Sequence, residues 1–130
     1  MKILVIRTDK AEAEVGIFKN GKETTYHKWM ADRQLAELLN QEVEKTLNKS
    51  SIQLKNLDGI VVYKGPGSFT GLRIGISAAN AYAYVLKIPI VSANGGDWIQ
   101  NGLKKLSKGY DEKIALPKYD RPATTTTPRK

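Results

Sequence analysis

The chain has 130 residues, a length that suits one domain, and 41% of them are apolar, which excludes global disorder. It contains no cysteine and one histidine, which excludes disulfides, thiolate metal sites, a cysteine nucleophile and a multi-histidine metal site within one protomer. No stretch reaches the roughly 20 apolar residues of a membrane span, and the N-terminus lacks a signal-peptide pattern. A cytoplasmic protein without a metal or cofactor is therefore expected.

The first part of the sequence predicts three strands and a helix. Lys2 to Ile6 is an apolar, β-branched run typical of a buried strand. Strand patterns over 13–19 and 22–29 flank Asn20-Gly21, a strong hairpin signal because a type I′ turn needs positive φ at both central residues. Leucine and valine then recur at helical spacing over 32–48, which predicts an amphipathic helix.

The second part predicts alternating strands and helices. Leu57 to Tyr63 reads as a buried strand, and the glycines and proline of 65–67 must end it. A helix follows to about Leu86, with Ser68 or Thr70 as its cap. A short strand over 87–91 precedes a last helix whose apolar face carries Trp98, Ile99, Leu103 and Leu106.

This order of elements predicts the fold class. A meander followed by strand–helix alternation indicates an α/β fold with a mixed five-stranded sheet flanked by helices. The order is that of a ribonuclease-H-like sheet, the unit of actin-like (ASKHA) lobes. We expect one such domain over residues 1–107.

Residues 108–130 are predicted to form a basic, Pro/Thr-rich extended tail, with Lys113 to Leu116 as a candidate edge strand. Eight basic and three acidic residues in 104–130 supply +5 of the net charge of +8. One interpretation is a solubilising tail. The other is a small RNA-binding module whose tail contacts tRNA phosphates. Its candidate nucleic-acid contacts are Lys104, Lys105, Lys108, Lys113, Lys118 and Arg121.

The most informative segment is GPGSFTGLRIGIS, residues 65–77. Its glycines precede a helix, as in a phosphate-binding loop, but the spacing does not fit one. Five residues separate Gly65 from Gly71 where a Walker A loop has four, and Leu72-Arg73 stands where that loop has Lys-Ser/Thr. The third glycine of a dinucleotide fingerprint would fall at Thr70. Nucleotide binding by either motif is not expected.

The helix after this motif carries very small residues at four-residue intervals. Gly71, Gly75, Ala79 and Ala83 form this small-residue stripe along one side of the helix. Glycine within a helix costs about 0.5–1 kcal/mol relative to alanine, so a close backbone approach is expected there. The approaching group can belong to this chain or to a second protein, and the pattern does not choose between them.

GPGSFTGLRIGIS resembles the signature of the TsaB (YeaZ) family, and the resemblance extends over residues 1 to about 107. It implies a non-catalytic subunit that binds a TsaD-like threonylcarbamoyl transferase through helices of the first lobe and supports tRNA N6-threonylcarbamoyladenosine modification. A TsaE-like ATPase is a further implied partner, a homodimer through the same helix is possible, and tRNA is contacted indirectly. The implied interface residues are Gly65, Pro66, Gly67, Ser68, Phe69, Thr70, Gly71, Arg73, Gly75, Ala79 and Ala83.

Three departures from the family pattern bear on activity. The chain has about half the family's usual length, so the second lobe is expected to be missing. The first strand ends Ile6-Arg7-Thr8-Asp9 rather than Ile-Asp-Thr-Ser, and Leu35 stands where many members have a histidine. Arginine cannot ligate a cation, and one lobe cannot close a nucleotide cleft. With no Ser–His–Asp arrangement around His27, no catalytic residue is expected.

Overall fold

A computed structural model describes residues 1–118. Its elements follow the predicted order, and their bounds are β1 Lys2–Arg7, β2 Glu12–Lys19, β3 Lys22–Met30, α1 Leu35–Lys49, β4 Gly59–Tyr63, α2 Phe69–Leu86, β5 Ile90–Ala93 and α3 Trp98–Ser107. Helix α1 begins three residues later than predicted because Asp32–Gln34 form a 3₁₀ turn. The predicted α/β fold is confirmed.

The strands form one mixed sheet in the order β3-β2-β1-β4-β5. Neighbours β1, β2 and β3 are antiparallel, whereas β4 is parallel to both β1 and β5. Asn20 and Gly21 join β2 to β3 with φ values of 53° and 82°, the positive pair that the hairpin signal predicted. The three strands that run parallel, β1, β4 and β5, therefore have their carboxyl ends at Arg7, Tyr63 and Ala93.

The helices cover both faces of the sheet. Helices α1 and α2 contact each other, and α2 packs on Thr8 at the end of β1. Helix α3 lies on the opposite face, where Gly102 packs on the side chain of Val61. Because successive strand residues point to opposite faces, this arrangement buries both sides of the central strands. Val5, Val61 and Val62 are accordingly inaccessible to solvent.

Helix α1 is joined to the outer strand β3 by a buried acidic group. His27 Nε2 lies 2.7 Å from Glu42 Oε1, in the geometry of an ion pair, and Lys45 Nζ lies 3.4 Å from the other carboxylate oxygen. The imidazole also stacks on Trp29, with ring centroids 5.5 Å apart. The single histidine therefore has a structural partner that its sequence position did not reveal.

The first part of the predicted tail does not extend away from the domain. Glu112 N donates to Ile90 O, and the side-chain amide of Asn80 makes two hydrogen bonds with the backbone of Ala115. Ala115 is buried, and Lys118 N donates to Lys64 O. Residues 111–118 therefore lie against β5 and α2, but they form no strand, so the candidate edge strand over Lys113 to Leu116 is not present. Residues 119–130 of the predicted tail lie outside the described residues.

Candidate functional site

The loop between β4 and α2 rests on the end of β1. Ser68 N donates a hydrogen bond to Asp9 O at 2.9 Å. The hydroxyl of Thr8 donates to Gly71 O at 2.7 Å. A Cβ at Gly67 would overlap Asp9, and one at Gly71 would overlap the carbonyl oxygen of Thr8. The glycines of the motif therefore serve a close contact between two backbones of this chain.

The two ends of this loop are also fixed within the chain. Gly65 is buried with φ +106°, a conformation that favours glycine, and the backbone oxygen of Lys118 covers it. Pro66 follows through a cis peptide bond and is exposed. At the helix start, Ser68 Oγ accepts from Gly71 N at 3.4 Å, which confirms Ser68 as the N-cap.

The small-residue stripe faces the interior of the domain. Gly75, Ala79 and Ala83 are buried, and Gly71 is half-buried. A Cβ at Gly75 would overlap the hydroxyl oxygen of Thr8. The close approach therefore comes from this chain's own β1. The prediction that Gly75, Ala79 and Ala83 contact a second protein is corrected, because these residues have almost no surface to offer one.

The opposite side of α2 is exposed and largely uncharged. We define the outer face of α2 as Phe69, Thr70, Arg73, Ser77, Ala81, Tyr84 and Val85, all exposed. Tyr84 and Val85 are 85% and 73% exposed, values that are high for large apolar side chains. Arg73 is the one charged residue of the outer face, and its guanidinium lies 5.2 Å from the ring centre of Phe69. Five predicted interface residues are thus accessible: Pro66, Ser68, Phe69, Thr70 and Arg73.

A shallow groove continues the outer face toward α1. It has a volume of about 360 Å³ and is lined by residues of both helices: Ala36, Leu39, Asn40, Thr70, Arg73, Ile74, Ser77 and Ala78. The hydroxyl of Tyr82 donates to Asn40 Oδ1, which ties the two helices together at one end of the groove. The α1 residues of the groove were not predicted, although the small side chain of Ala36 and the polar Asn40 on a predicted helix are compatible with a contact surface.

The acidic side chain at the end of β1 is already paired. Arg7 Nε and Nη2 donate to the two carboxylate oxygens of Asp9 at 2.7 and 3.2 Å. This hydrogen bonding raises the pKa of Arg7, and the guanidinium also lies 4.0 Å from the ring centre of Tyr63. The carboxylate of Asp9 is therefore held by a fixed positive charge. The absence of catalytic residues and cofactors stays a prediction.

The basic residues predicted to contact nucleic acid lie on two segments. Lys104, Lys105 and Lys108 share a pocket on α3 with a lysine that the sequence analysis missed, Lys64. Lys64 directly follows β4, and its position after a predicted parallel strand was the signal that could have found it. Lys113 and Lys118 are exposed on the segment after α3, and Arg121 lies outside the described residues.

None of the helices in the described part of the chain is long and apolar enough to cross a membrane.

Comparisons with known proteins agree with this fold. The model of the family described as TsaD, tRNA N6-adenosine threonylcarbamoyltransferase, matches residues 28–103. The TsaB protein of Escherichia coli K12, described as a tRNA threonylcarbamoyladenosine biosynthesis protein, is 26% identical over 120 residues, which cover 88% of this chain and 52% of that protein. A tRNA N6-adenosine threonylcarbamoyltransferase of Clostridioides difficile is 32% identical over 107 residues, covering 70% of this chain and 32% of the transferase.

The solved structure of YeaZ from Pseudomonas aeruginosa superposes with a TM-score of 0.67 at 26% identity, covering 72% of this chain and 45% of YeaZ. The chain thus spans about half the length of the TsaB and YeaZ relatives that it matches. The matched family model covers more than half of the chain and includes α1, β4, the GPGSFTG loop and α2. The chain therefore belongs to the family of this model, TsaD, and it is similar in sequence and fold to the TsaB (YeaZ) proteins.

Proposed function

We propose that the chain is a non-catalytic accessory subunit of tRNA N6-threonylcarbamoyladenosine modification in the cytoplasm. It binds a TsaD-like threonylcarbamoyl transferase and supports the activity of that enzyme. The observation that carries the proposal is the exposed, nearly uncharged outer face of α2 beside the α1–α2 groove, in a domain of the TsaB type. An apolar surface of this kind is typical of protein–protein contacts.

The proposed interface differs from the one that the small-residue stripe suggested. It is formed by the outer face of α2 and by the α1 side of the groove, while the stripe holds α2 against β1. The stripe contributes to this interface indirectly, because its close packing sets the distance of α2 from the sheet and the rotation of α2 about its axis. Phe69 and Tyr84, at opposite ends of the helix, are the large side chains that we expect to anchor the partner.

The accessory role, as opposed to catalysis, is supported by the contacts of Asp9. Its carboxylate accepts two hydrogen bonds from Arg7, and a cation would have to displace that guanidinium to bind. Related ATPases of the fold use an acidic group near the first strand to organise Mg²⁺, as the family resemblance implies. We therefore assign the chemistry to the partner and not to this chain.

Reconstitution of the reaction tests the accessory role. The TsaD-like transferase and the TsaE-like ATPase of the same organism are combined with unmodified tRNA, threonylcarbamoyl donor and ATP, with and without this chain. We expect the modified adenosine, measured by nucleoside mass spectrometry, to form at least tenfold faster when the chain is present, and the chain alone to form none. Equal rates with and without the chain would contradict the proposal.

A further inference from the structure

Four lysine side chains converge on a pocket beside the edge strand β5. Lys64 comes from the end of β4, and Lys104, Lys105 and Lys108 come from the second half of α3. The pocket has a volume of about 280 Å³, and its other lining residues are Ala93, Asn94, Asn101 and Tyr110. We call it the lysine pocket. Its lining contains four lysines and no acidic side chain, so the net charge of the lining is positive.

The acidic side chains nearest to the lysine pocket in sequence accept hydrogen bonds from neighbouring residues and form no ion pair with its lysines. Glu112 accepts hydrogen bonds from the backbone N–H and the hydroxyl of Ser92, at 2.9 and 2.8 Å. Asp111 accepts from Ile90 N and Lys113 N. The ion pairs found within residues 1–118 use Arg7, His27 and Lys45 as their cations. Within that part of the chain, none of the four pocket lysines is neutralised by an ion pair.

The pocket also lies at a part of the sheet where ligands commonly bind. Lys64 and Asn94 directly follow β4 and β5, so the pocket opens at the carboxyl ends of two parallel strands, where open α/β sheets bind their ligands. Lys105 is held in place because its Nζ donates to Ser92 O at 2.9 Å. The polar groups that remain are ammonium, amide and hydroxyl donors, which suit the oxygens of a phosphate.

We propose that the lysine pocket binds a backbone phosphate of an RNA strand. Lys113 and Lys118, exposed on the segment after α3, are balanced by Asp111 and Glu112, so the local excess of positive charge lies in the pocket itself. Tyr110, at the rim and 56% exposed, offers a ring on which an unpaired base can stack. Lysines beside an exposed aromatic ring are the combination with which proteins bind a single nucleic-acid strand, so we argue for RNA rather than one small nucleotide.

The proposal concerns a surface other than the proposed partner interface. The lysine pocket is built on α3, and the interface is built on α1 and α2, which lie on the other face of the sheet. Either proposal can therefore fail without the other. Loss of transferase binding leaves the RNA proposal intact, and loss of RNA binding leaves the interface intact.

A charge-matched pair of variants tests the lysine pocket. The pocket variant combines Lys64→Gln, Lys104→Gln and Lys108→Gln, and it keeps Lys105 because of its bond to Ser92. The control variant combines Lys22→Gln, Lys49→Gln and Lys55→Gln, three exposed lysines outside the pocket. Both variants lose the same net charge, so a difference in their affinity for tRNA must come from where the removed lysines lie. Circular dichroism of each variant verifies its fold.

Binding is measured by the fluorescence anisotropy of a labelled, unmodified tRNA transcript from 50 to 200 mM salt. We expect the pocket variant to bind at least tenfold more weakly and to reduce the slope of log affinity against log salt by about two. The control variant should lose less than threefold. Equal losses in the two variants, or no tRNA binding by the wild-type chain, would overturn the proposal.

Pyrophosphate and ATP serve as second probes, because a free phosphate offers the same chemistry as an RNA backbone. Wild-type affinity for either compound that exceeds its affinity for tRNA, and that is lost in the pocket variant, would assign the pocket to a small ligand and overturn the RNA proposal. Weak binding of both compounds, together with pocket-dependent tRNA binding, is the expected result.

Discussion

Gly75→Leu is expected to destabilise the domain by about 3 kcal/mol or more, because the new side chain has no space on the inner side of α2. A Cβ at this position overlaps Thr8 Oγ1 and lies within 3.0 Å of two further side-chain carbons of the same residue. Thr8 is 1% exposed and donates to Gly71 O, so it cannot move away without losing a hydrogen bond. Urea unfolding followed by circular dichroism measures the change in the free energy of unfolding.

Gly96→Ala is the control for this experiment. Gly96 lies in the loop before α3, and a Cβ there would meet no atom within 4 Å. Its free energy of unfolding should stay within about 0.5 kcal/mol of that of the wild type. A stable, folded Gly75→Leu protein would contradict the internal packing of the stripe and would return Gly75 to the list of interface candidates.

Ser77→Arg is expected to weaken binding of the TsaD-like transferase about a hundredfold, close to 3 kcal/mol, while the domain stays folded. Ser77 is exposed on the outer face of α2 and lines the α1–α2 groove, four residues from Arg73. A second arginine there places two long cations side by side in a contact surface that is otherwise nearly uncharged. Burying an uncompensated charge is costly, so the loss should appear mainly as faster dissociation. Surface plasmon resonance against the immobilised transferase measures it.

Ser107→Arg is the matched control, since it makes the same substitution at an exposed helical serine on the other face of the sheet. It should keep the wild-type affinity for the transferase within about threefold. If both variants bind equally well, the outer face of α2 is not the interface. If Ser107→Arg alone loses binding, the transferase contacts α3 instead.

Much of the fold could be predicted because its signals are local. Asn20-Gly21 sets the hairpin through positive φ, and the apolar runs of β1 and β4 mark buried strands. The bounds of the elements were predicted less accurately. The strand predicted over 87–91, for example, is β5 at Ile90–Ala93. The course of residues 111–118 could not be predicted, because it depends on side-chain bonds between distant parts of the chain, such as Asn80 with Ala115.

The candidate site was predicted in part. The four-residue spacing of Gly71, Gly75, Ala79 and Ala83 indicated a close approach, but spacing does not say which side of a helix faces the sheet. In the structure this side of α2 faces the sheet, because Thr8 of this chain fills the space next to Gly75. Likewise, lysines on α3 were noticed as charge, whereas their convergence with Lys64 depends on the parallel pairing of β4 and β5.

The mass of the species formed with the TsaD-like transferase of the same organism tests the central claim most directly. The two proteins are mixed at micromolar concentrations and separated by size exclusion with light-scattering detection, and each is also run alone, so that self-association of this chain is measured separately. We predict one peak whose mass is that of a complex containing both proteins. Two peaks with the masses of the separate proteins would contradict the accessory-subunit account.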